Sequence, residues 1–334
     1  MILMNFPFTM MAIDTGSNSI KTRTWRINPD YSPVLLDQDR YPLSLGADVF
    51  RHGCISTISL EELKRIYEII ASESGKHDVD HTRAVATSAL READNGPEVV
   101  EEIYCISGIR IGVLDGHEEA DLIFQGLPLN IRMKFPNLVI IDIGGGSTEI
   151  IRVMDPGTMV TCSLPLGAVR LTELFLRNSK PEDDDYQEAR MFIQKEISSH
   201  LIEKSASKNL AAFGTGGTIH ALARLIHGIE YTPGNSGDAE WSLKFDELQA
   251  LTKSLRNLSS IQIENNYGID RQRAQIIRGG LLVLNQLMPL LDLTEIIPFE
   301  GGVSDGLLQE CISNLKEDAS RQDHLNDHAG SGPA

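Results

Sequence analysis

The stretch VIIDIGGGSTEII, Val139 to Ile151, runs an apolar segment into Asp142. It then leaves three consecutive positions without side chains and returns through Ser147, Thr148 and Glu149 to two isoleucines. A second stretch, MAIDTGSNSIKTRTWRI, has the same plan 128 residues earlier: apolar residues lead into Asp14, and an alternating run returns through Ile20, Thr22 and Thr24. Superposing Asp14 on Asp142 sets Gly16 on Gly144 and Ser19 on Ser147. Both segments read as strand, tight turn, strand, with glycine at the bend. A repeat of this length in a chain of 334 residues predicts two similar α/β domains, each offering one glycine-bearing hairpin to a shared cleft.

A third punctuated stretch is NLAAFGTGGTIHALARL. A short apolar strand ends at Phe213, Gly214, Thr215, Gly216 and Gly217 form a turn, and Thr218 is the expected cap of a helix with apolar positions Ile219, Leu222, Ala223 and Ile226. Such a helix start presents N–H groups and a positive dipole end to an anion. A single glycine turn is a weak sign of phosphate binding, because glycines after a strand often only bend the chain. Three in one chain, two of them flanked by carboxylates, point to a phosphate site. Glycines 144–146 would let backbone N–H groups approach phosphate oxygens that a side chain would block.

The charge balance restricts what that phosphate belongs to. At a net charge of −17 the chain has no surplus of cations for non-specific duplex binding, so nucleic acid is not an expected partner. A polyanionic ligand must be met by a local basic patch, by backbone N–H groups or by a metal. Asp142 and Glu149, seven residues apart on two strands of one hairpin, are expected to hold Mg²⁺ directly or through waters. Hydrophobic content of 41% and charged content of 23% are ordinary for a globular chain, and no apolar run approaches the ~18 residues of a membrane span. The N-terminus lacks a basic segment of the signal-peptide kind, and four scattered cysteines fit reduced thiols, so a cytoplasmic location is expected. The polar C-terminal segment, 317–334, is expected to be a disordered tail.

Two further segments supply candidates. TRAVATSALREADNG is a strand running into Thr87 and Ser88, which cap a helix carrying Arg91, and LDGHEEADLIFQGL is a glycine turn followed by a helix beginning with Glu118 and Glu119. Complementing the helix dipole is reason enough for one of these two carboxylates, and spacing does not choose between them. His117, His220 and His227 share no metal-ligand spacing and read as structural.

Taken in order, IDTGSNSI, ATSALREADNG, GHEEADLIFQG, IDIGGGSTE, SLPLGAVRLTE, FGTGGTIHAL and RAQIIRGGLLVL…EGGVSDGLL resemble the exopolyphosphatase and guanosine pentaphosphate phosphohydrolase (Ppx/GppA) family, in its short two-domain form, from about Ala12 to Leu308. The resemblance implies two ribonuclease-H-like domains of the actin-like ATPase superfamily: 1–126, rejoined by a helix at about 304–316, and 127–303. It implies Mg²⁺-dependent removal of the terminal phosphate of inorganic polyphosphate or of guanosine pentaphosphate (pppGpp), and a homodimer. It points to Glu119 as the base, Arg91 facing the terminal phosphate, Ser17, Asn18, Ser19 and Thr87 as substrate contacts, and Gly214–Gly217 at a more distal phosphate. One departure is Ser304, which stands where many members carry a basic residue. A rival of another class is a nucleotide-binding sensor or kinase-like protein of the same superfamily. The presence of Glu119, Asp142, Glu149 and Arg91 together weighs against it.

Overall fold

The computed structural model describes residues 6–154, 157–200, 210–232 and 239–329. Its two sheets repeat one strand order. The first holds β1 (Phe8–Thr15), β2 (Ser19–Ile27), β3 (Pro33–Pro42), β4 (His81–Ala86) and β5 (Ile111–Val113), arranged β3-β2-β1-β4-β5. The second holds β6 (Leu138–Ile143), β7 (Thr148–Met154), β8 (Thr158–Leu164), β9 (Ala211–Thr215), β10 (Leu243–Lys244) and β11 (Glu295–Pro298), arranged β8-β7-β6-β9-β11-β10. In each sheet three antiparallel strands are followed by two that run parallel to the first, which is the ribonuclease-H-like order, and β10 adds an antiparallel edge to the second. The duplication read from the two aspartates is therefore a duplication of topology.

Period-two alternation divides each central strand between two cores. In β1, Met11 and Ile13 face the helices Thr57–Lys76 and Gly96–Ser107, while Met10 and Ala12 face the closing helix Val303–Ala329. In β6, Val139, Ile141 and Ile143 enter the large core of the second sheet, while Leu138 and Ile140 join Phe8, Trp25 and Val85 through Leu127 and Ile131. One apolar cluster thus runs continuously across the expected 126/127 boundary.

The closing helix returns to the first sheet as expected, but it runs on to Ala329 instead of ending near 316. Its buried stripe of Leu307, Leu308, Ile312 and Leu315 ends where the polar segment begins. No glycine or proline interrupts the sequence before Gly330, so propensity carries the helix beyond its packing. The expectation of a tail disordered from 317 is corrected to that extent; residues 330–334 lie outside the described residues. The four cysteines are unpaired, and no helix among the described residues is long and apolar enough to cross a membrane.

The closing helix crosses the helix Gly116–Gln125 at backbone contact. A Cβ on Gly306 would stand 2.1 Å from the Leu122 carbonyl oxygen, and one on Gly126 would stand 2.5 Å from that of Gly302. Gly306→Ala should therefore lower the thermal midpoint by the equivalent of about 1–3 kcal/mol, the usual cost of overpacking. In an uncrowded helix the same change stabilises by about 1 kcal/mol. A raised midpoint on thermal denaturation would exclude the close crossing.

Candidate active site

The two hairpins have the same turn. In the first, Thr15 pairs with Ile20 and the Gly16 N–H donates to the Ser19 carbonyl at 3.1 Å; in the second, Ile143 pairs with Thr148 and the Gly144 N–H donates to the Ser147 carbonyl at 3.0 Å. The turns meet tip to tip. A Cβ on Gly145 would lie 3.0 Å from Ser17 Cβ, and one on Gly146 would lie 2.2 Å from Ser88 Oγ and 2.7 Å from Ser17 Oγ. None of Gly144, Gly145 and Gly146 has a positive φ. The opposite domain packs closely on Gly145 and Gly146, which is a reason for their lack of side chains independent of any phosphate.

Between the turns lies a cavity of about 100 Å³. Gly16, Ser17, Asn18, Ser19, Thr87, Glu119, Asp142, Gly144, Gly145, Gly146, Ser147, Glu149, Gly216 and Gly217 line it, so most of the expected site residues converge. Four do not. Thr148 is wholly buried on the other face of β7 and donates to the Leu166 carbonyl. Gly214 is a strand residue beneath Ile219 and Ile296, and Thr215 donates to the Gly301 carbonyl at 2.7 Å. Arg91 stands behind the cavity wall, because the Leu114 carbonyl at the end of β5 accepts one of its N–H groups at 2.7 Å. From there the same nitrogen donates to Glu119 Oε2 at 3.2 Å, so the side-chain partner of Arg91 is the carboxylate expected to act as base.

Local chemistry separates Glu118 from Glu119. Asp115 caps the helix Gly116–Gln125 by accepting from the N–H groups of His117 and Glu118, and the Glu118 carboxylate accepts in return from the Asp115 N–H at 2.8 Å. That capping box consumes Glu118 at the exposed helix start. Glu119, one residue on, is 7% exposed and faces the cavity. Gly116 lets this helix approach the second domain closely, since a Cβ there would sit 2.4 Å from Ser163 Cβ, and Ser163 Oγ donates to Glu149 at 2.8 Å. The third glycine stretch is arranged similarly. Its helix starts at Gly216, with Thr215 rather than Thr218 at the cap position, and Gly216 has φ +84°. A Cβ on Gly216 would lie 2.1 Å from Asp142 Oδ1, so this turn closes directly over the carboxylate.

The cavity gathers buried negative charge. Burial pushes the Asp142 carboxyl up to about 6, with Lys21 opposing and Asp14 adding to the shift. Burial and the neighbouring Asp142 push Glu149 up to about 8, against hydrogen bonds from Ser163 and Ser147. Burial and Glu149 hold Glu119 well above the usual carboxylate range, against the pull of Arg91. Asp142 and Glu149 are cross-strand partners, so their side chains share one face of the hairpin. No three acid, imidazole or thiol side chains among the described residues form a closed metal cage. The donor set is a pair of buried carboxylates in a polar cavity, which fits a hard cation that keeps several waters, as Mg²⁺ does.

Sequence reading missed three charged lining residues, Asp14, Lys21 and Arg273. Lys21 was legible: it pairs with Asp14 as Glu149 pairs with Asp142, so the repeat, carried two residues further, sets a lysine against a glutamate. Lys21 Nζ lies 3.7 Å from Asp14. No local pattern singled out Arg273. It reaches the cavity from the helix Arg271–Leu290 because Gly217 leaves space for its guanidinium.

One buried arginine joins the two halves. Arg170 Nε donates to the Gly146 carbonyl at 2.7 Å, its Nη2 donates to both Glu92 oxygens at 2.6 and 2.7 Å, and its guanidinium lies 4.0 Å from the centre of the Phe50 ring.

The profile of the Ppx/GppA phosphatase family matches residues 32–315. A protein named exopolyphosphatase 1 from Mycobacterium leprae is 30% identical over 89% of this chain and 87% of its own length. A Vibrio vulnificus protein named guanosine-5′-triphosphate,3′-diphosphate pyrophosphatase is 26% identical over 93% of this chain. The chain spans 60% of that Vibrio protein, and 47% of a bifunctional 3-dehydroquinate synthase/phosphatase of Fusobacterium nucleatum. Among solved structures, an exopolyphosphatase-like protein superposes with a TM-score of 0.83 at 26% identity, covering 92% of this chain and 98% of the other. With its doubled sheet order, its facing glycine turns and this match, the chain belongs to the Ppx/GppA phosphatase family.

Proposed function

We propose that the chain is an exopolyphosphatase, hydrolysing the terminal phosphoanhydride of inorganic polyphosphate with Mg²⁺. The observation that carries this reading is a small cavity that places a buried carboxylate, Glu119, opposite buried polar groups without partners. Ser17 Oγ and both polar atoms of the Asn18 side chain have no hydrogen-bond partner although both residues are buried. Unpaired buried groups of this kind are rare and mark a ligand's place. Polyphosphate is favoured over pppGpp because the M. leprae relative, matched over most of its length, is named exopolyphosphatase.

In this reading Glu119 accepts a proton from a water held in the cavity, and that water's oxygen attacks the terminal phosphorus. The bridging P–O bond breaks, its electron pair stays with the remaining chain, and orthophosphate leaves. A raised pKa suits the base to proton transfer near neutrality. Arg91 is a positioning residue, since its bond to Glu119 keeps one carboxylate oxygen turned away from the water. Ser17, Asn18 and the Gly216–Gly217 helix start bind phosphate oxygens. Lys21 and Arg273 supply the positive charge that the transferring group requires. Asp142 and Glu149 are the side chains that would hold Mg²⁺, whose chemistry is to neutralise charge on the phosphate oxygens. The primary test is orthophosphate release from long polyphosphate and from pppGpp, with and without Mg²⁺; release from pppGpp alone would overturn the substrate assignment.

Glu119→Gln keeps the size of the side chain and loses the proton acceptor, so kcat should fall by ~10²–10⁴-fold with polyphosphate binding retained. Glu118→Gln keeps an acceptor for the Asp115 N–H and should leave kcat within a few-fold and stability nearly unchanged. The reverse pattern in steady-state kinetics would exchange the roles of the two residues.

The two metal carboxylates make stability depend on pH in a way that Mg²⁺ should reverse. Their folded pKa values, about 6 and about 8, lie above those of the unfolded chain. Over that interval the folded state binds more protons than the unfolded state, so their contribution to stability is full below about pH 4 and is lost as pH rises through 6 and 8. Mg²⁺ should therefore raise the thermal midpoint more at pH 8.5 than at pH 5.5. Asp142→Asn and Glu149→Gln should each shrink that difference and raise the Mg²⁺ concentration for half-maximal activity. An equal Mg²⁺ effect at both pH values, on differential scanning fluorimetry, would exclude these two side chains as the metal's holders.

A further inference from the structure

The aspartate of each hairpin heads a row of residues that crosses three strands. In the second sheet Asp142 of β6 pairs with Glu149 of β7, and Glu149 pairs with Ser163 of β8. In the first sheet the corresponding row is Asp14, Lys21 and Arg40. Residues directly opposite one another lie on one face of a sheet, so the third member of each row stands beside the second. The strand pairing itself does not call for a small hydroxyl at this place, because the same backbone accepts an arginine in the other sheet. What Ser163 touches is the reason for serine.

Two of its atoms face two different partners. Ser163 Oγ donates to Glu149 Oε1 at 2.8 Å, and a bond to one oxygen of a buried carboxylate fixes how that carboxylate is turned. Ser163 Cβ lies against Gly116, where an added Cβ would come within 2.4 Å of it. Gly116 opens the helix Gly116–Gln125, and Glu119 stands three residues on, on the same side of that helix. Glu149 is near enough for its charge to act on Glu119. One side chain of the second domain thus touches a carboxylate of its own sheet and the helix that brings Glu119 from the first domain. A further contact keeps strand and helix in register. Thr161 is two residues before Ser163 and so on the same face of β8, and its Oγ1 is joined to His117 Nδ1 at 2.8 Å. Cys162, between them, packs against the core of the second sheet.

We propose that Ser163 is a positioning residue for the hydrolysis: its hydroxyl turns Glu149 toward the cation, and its contact with Gly116 sets how closely the Glu119 helix approaches that carboxylate. The two functions belong to different atoms, Oγ on the metal side and Cβ on the side of the base. The proposal rests on the reading of Glu149 as a holder of Mg²⁺ and of Glu119 as the base. It deepens that reading by naming what fixes the distance between them.

Mutation separates the two functions. Ser163→Ala removes Oγ and keeps Cβ. Loss of a hydrogen bond behind a metal-holding side chain typically costs ~10–100-fold in metal affinity. The Mg²⁺ dissociation constant of the substrate-free protein, from isothermal titration calorimetry, should rise by that factor. Ser163→Cys, which restores a weak donor, should lie between Ser163→Ala and the wild type. Gly116→Ala keeps Oγ and drives the helix off the strand. Its Mg²⁺ affinity should change far less than that of Ser163→Ala, while kcat on polyphosphate falls on the order of 10²-fold, the cost of about 1 Å of misplacement. Gly116→Ala/Ser163→Gly removes the colliding Cβ, so kcat at saturating Mg²⁺ should recover most of that loss while Mg²⁺ binding stays weak. An unchanged Mg²⁺ dissociation constant in Ser163→Ala, an equal weakening in Gly116→Ala, or no Mg²⁺ binding to the wild type would overturn the proposal. So would a double variant no faster than Gly116→Ala. If the wild type hydrolyses pppGpp and not polyphosphate, the substrate reading fails, and the same variants assayed on pppGpp still decide the role of Ser163. Hydrolysis of neither would overturn both.

Discussion

The Arg170 side chain sets the relation between the two domains. Its guanidinium leaves the second domain on the helix Ala168–Phe175 and is held in the first by both oxygens of Glu92 and by the face of Phe50, while its Nε fixes the carbonyl of Gly146. A buried arginine can be retained in such a place only if its donors are satisfied on both sides of the boundary. The consequence reaches the chemistry within two residues. Glu92 adjoins Arg91, Arg91 bonds Glu119, and Gly146 belongs to the turn beside Asp142 and Glu149. One ion pair therefore brings Glu119 and the carboxylates Asp142 and Glu149, carried by different domains, to a common geometry.

Close approach is the second constraint, and it explains why glycine collects at the site. Gly116, Gly145, Gly146 and Gly216 each stand where a Cβ would meet an atom of a neighbouring strand, turn, helix or carboxylate at 3.0 Å or less. Only Gly216 among them needs a positive φ. The glycines bring charged groups to short range and exclude water, which raises the carboxyl pKa values and strengthens every interaction a phosphate would make there. A stable fold must tolerate that accumulation of buried negative charge, which a bound cation would relieve.

The two halves of the duplication have diverged in charge while keeping their backbone. Both turns close with the same N–H to carbonyl bond, yet the cross-strand partner of the aspartate is Lys21 in one hairpin and Glu149 in the other. One hairpin thus presents a cation and unpaired polar groups, and the other a pair of carboxylates. A single symmetric cleft thus becomes one with a cationic, donor-bearing side and an acidic side.

The sequence by itself determined the doubled fold and most of the lining of the cleft. Hairpins, glycine turns and a helix start are local patterns, and the spacing of two aspartates was enough to pair them. Its spacing did not distinguish Glu118 from Glu119, because both suit a helix start, and the resemblance alone pointed to Glu119; in the structure the capping box takes Glu118 and Glu119 faces the cavity. It assigned Thr148, Gly214 and Thr215 to the ligand because they sit inside recognisable motifs, whereas strand alternation and a carbonyl partner turn each of them away. It set Arg91 against the phosphate; in the structure one nitrogen of its guanidinium donates to the Leu114 carbonyl and to Glu119. Arg170 and Arg273 are ordinary residues of helices when read along the chain. Arg170 meets Glu92 of the other domain and Arg273 meets Gly217 at the start of another helix, and such contacts exist only after segments distant in sequence have packed together.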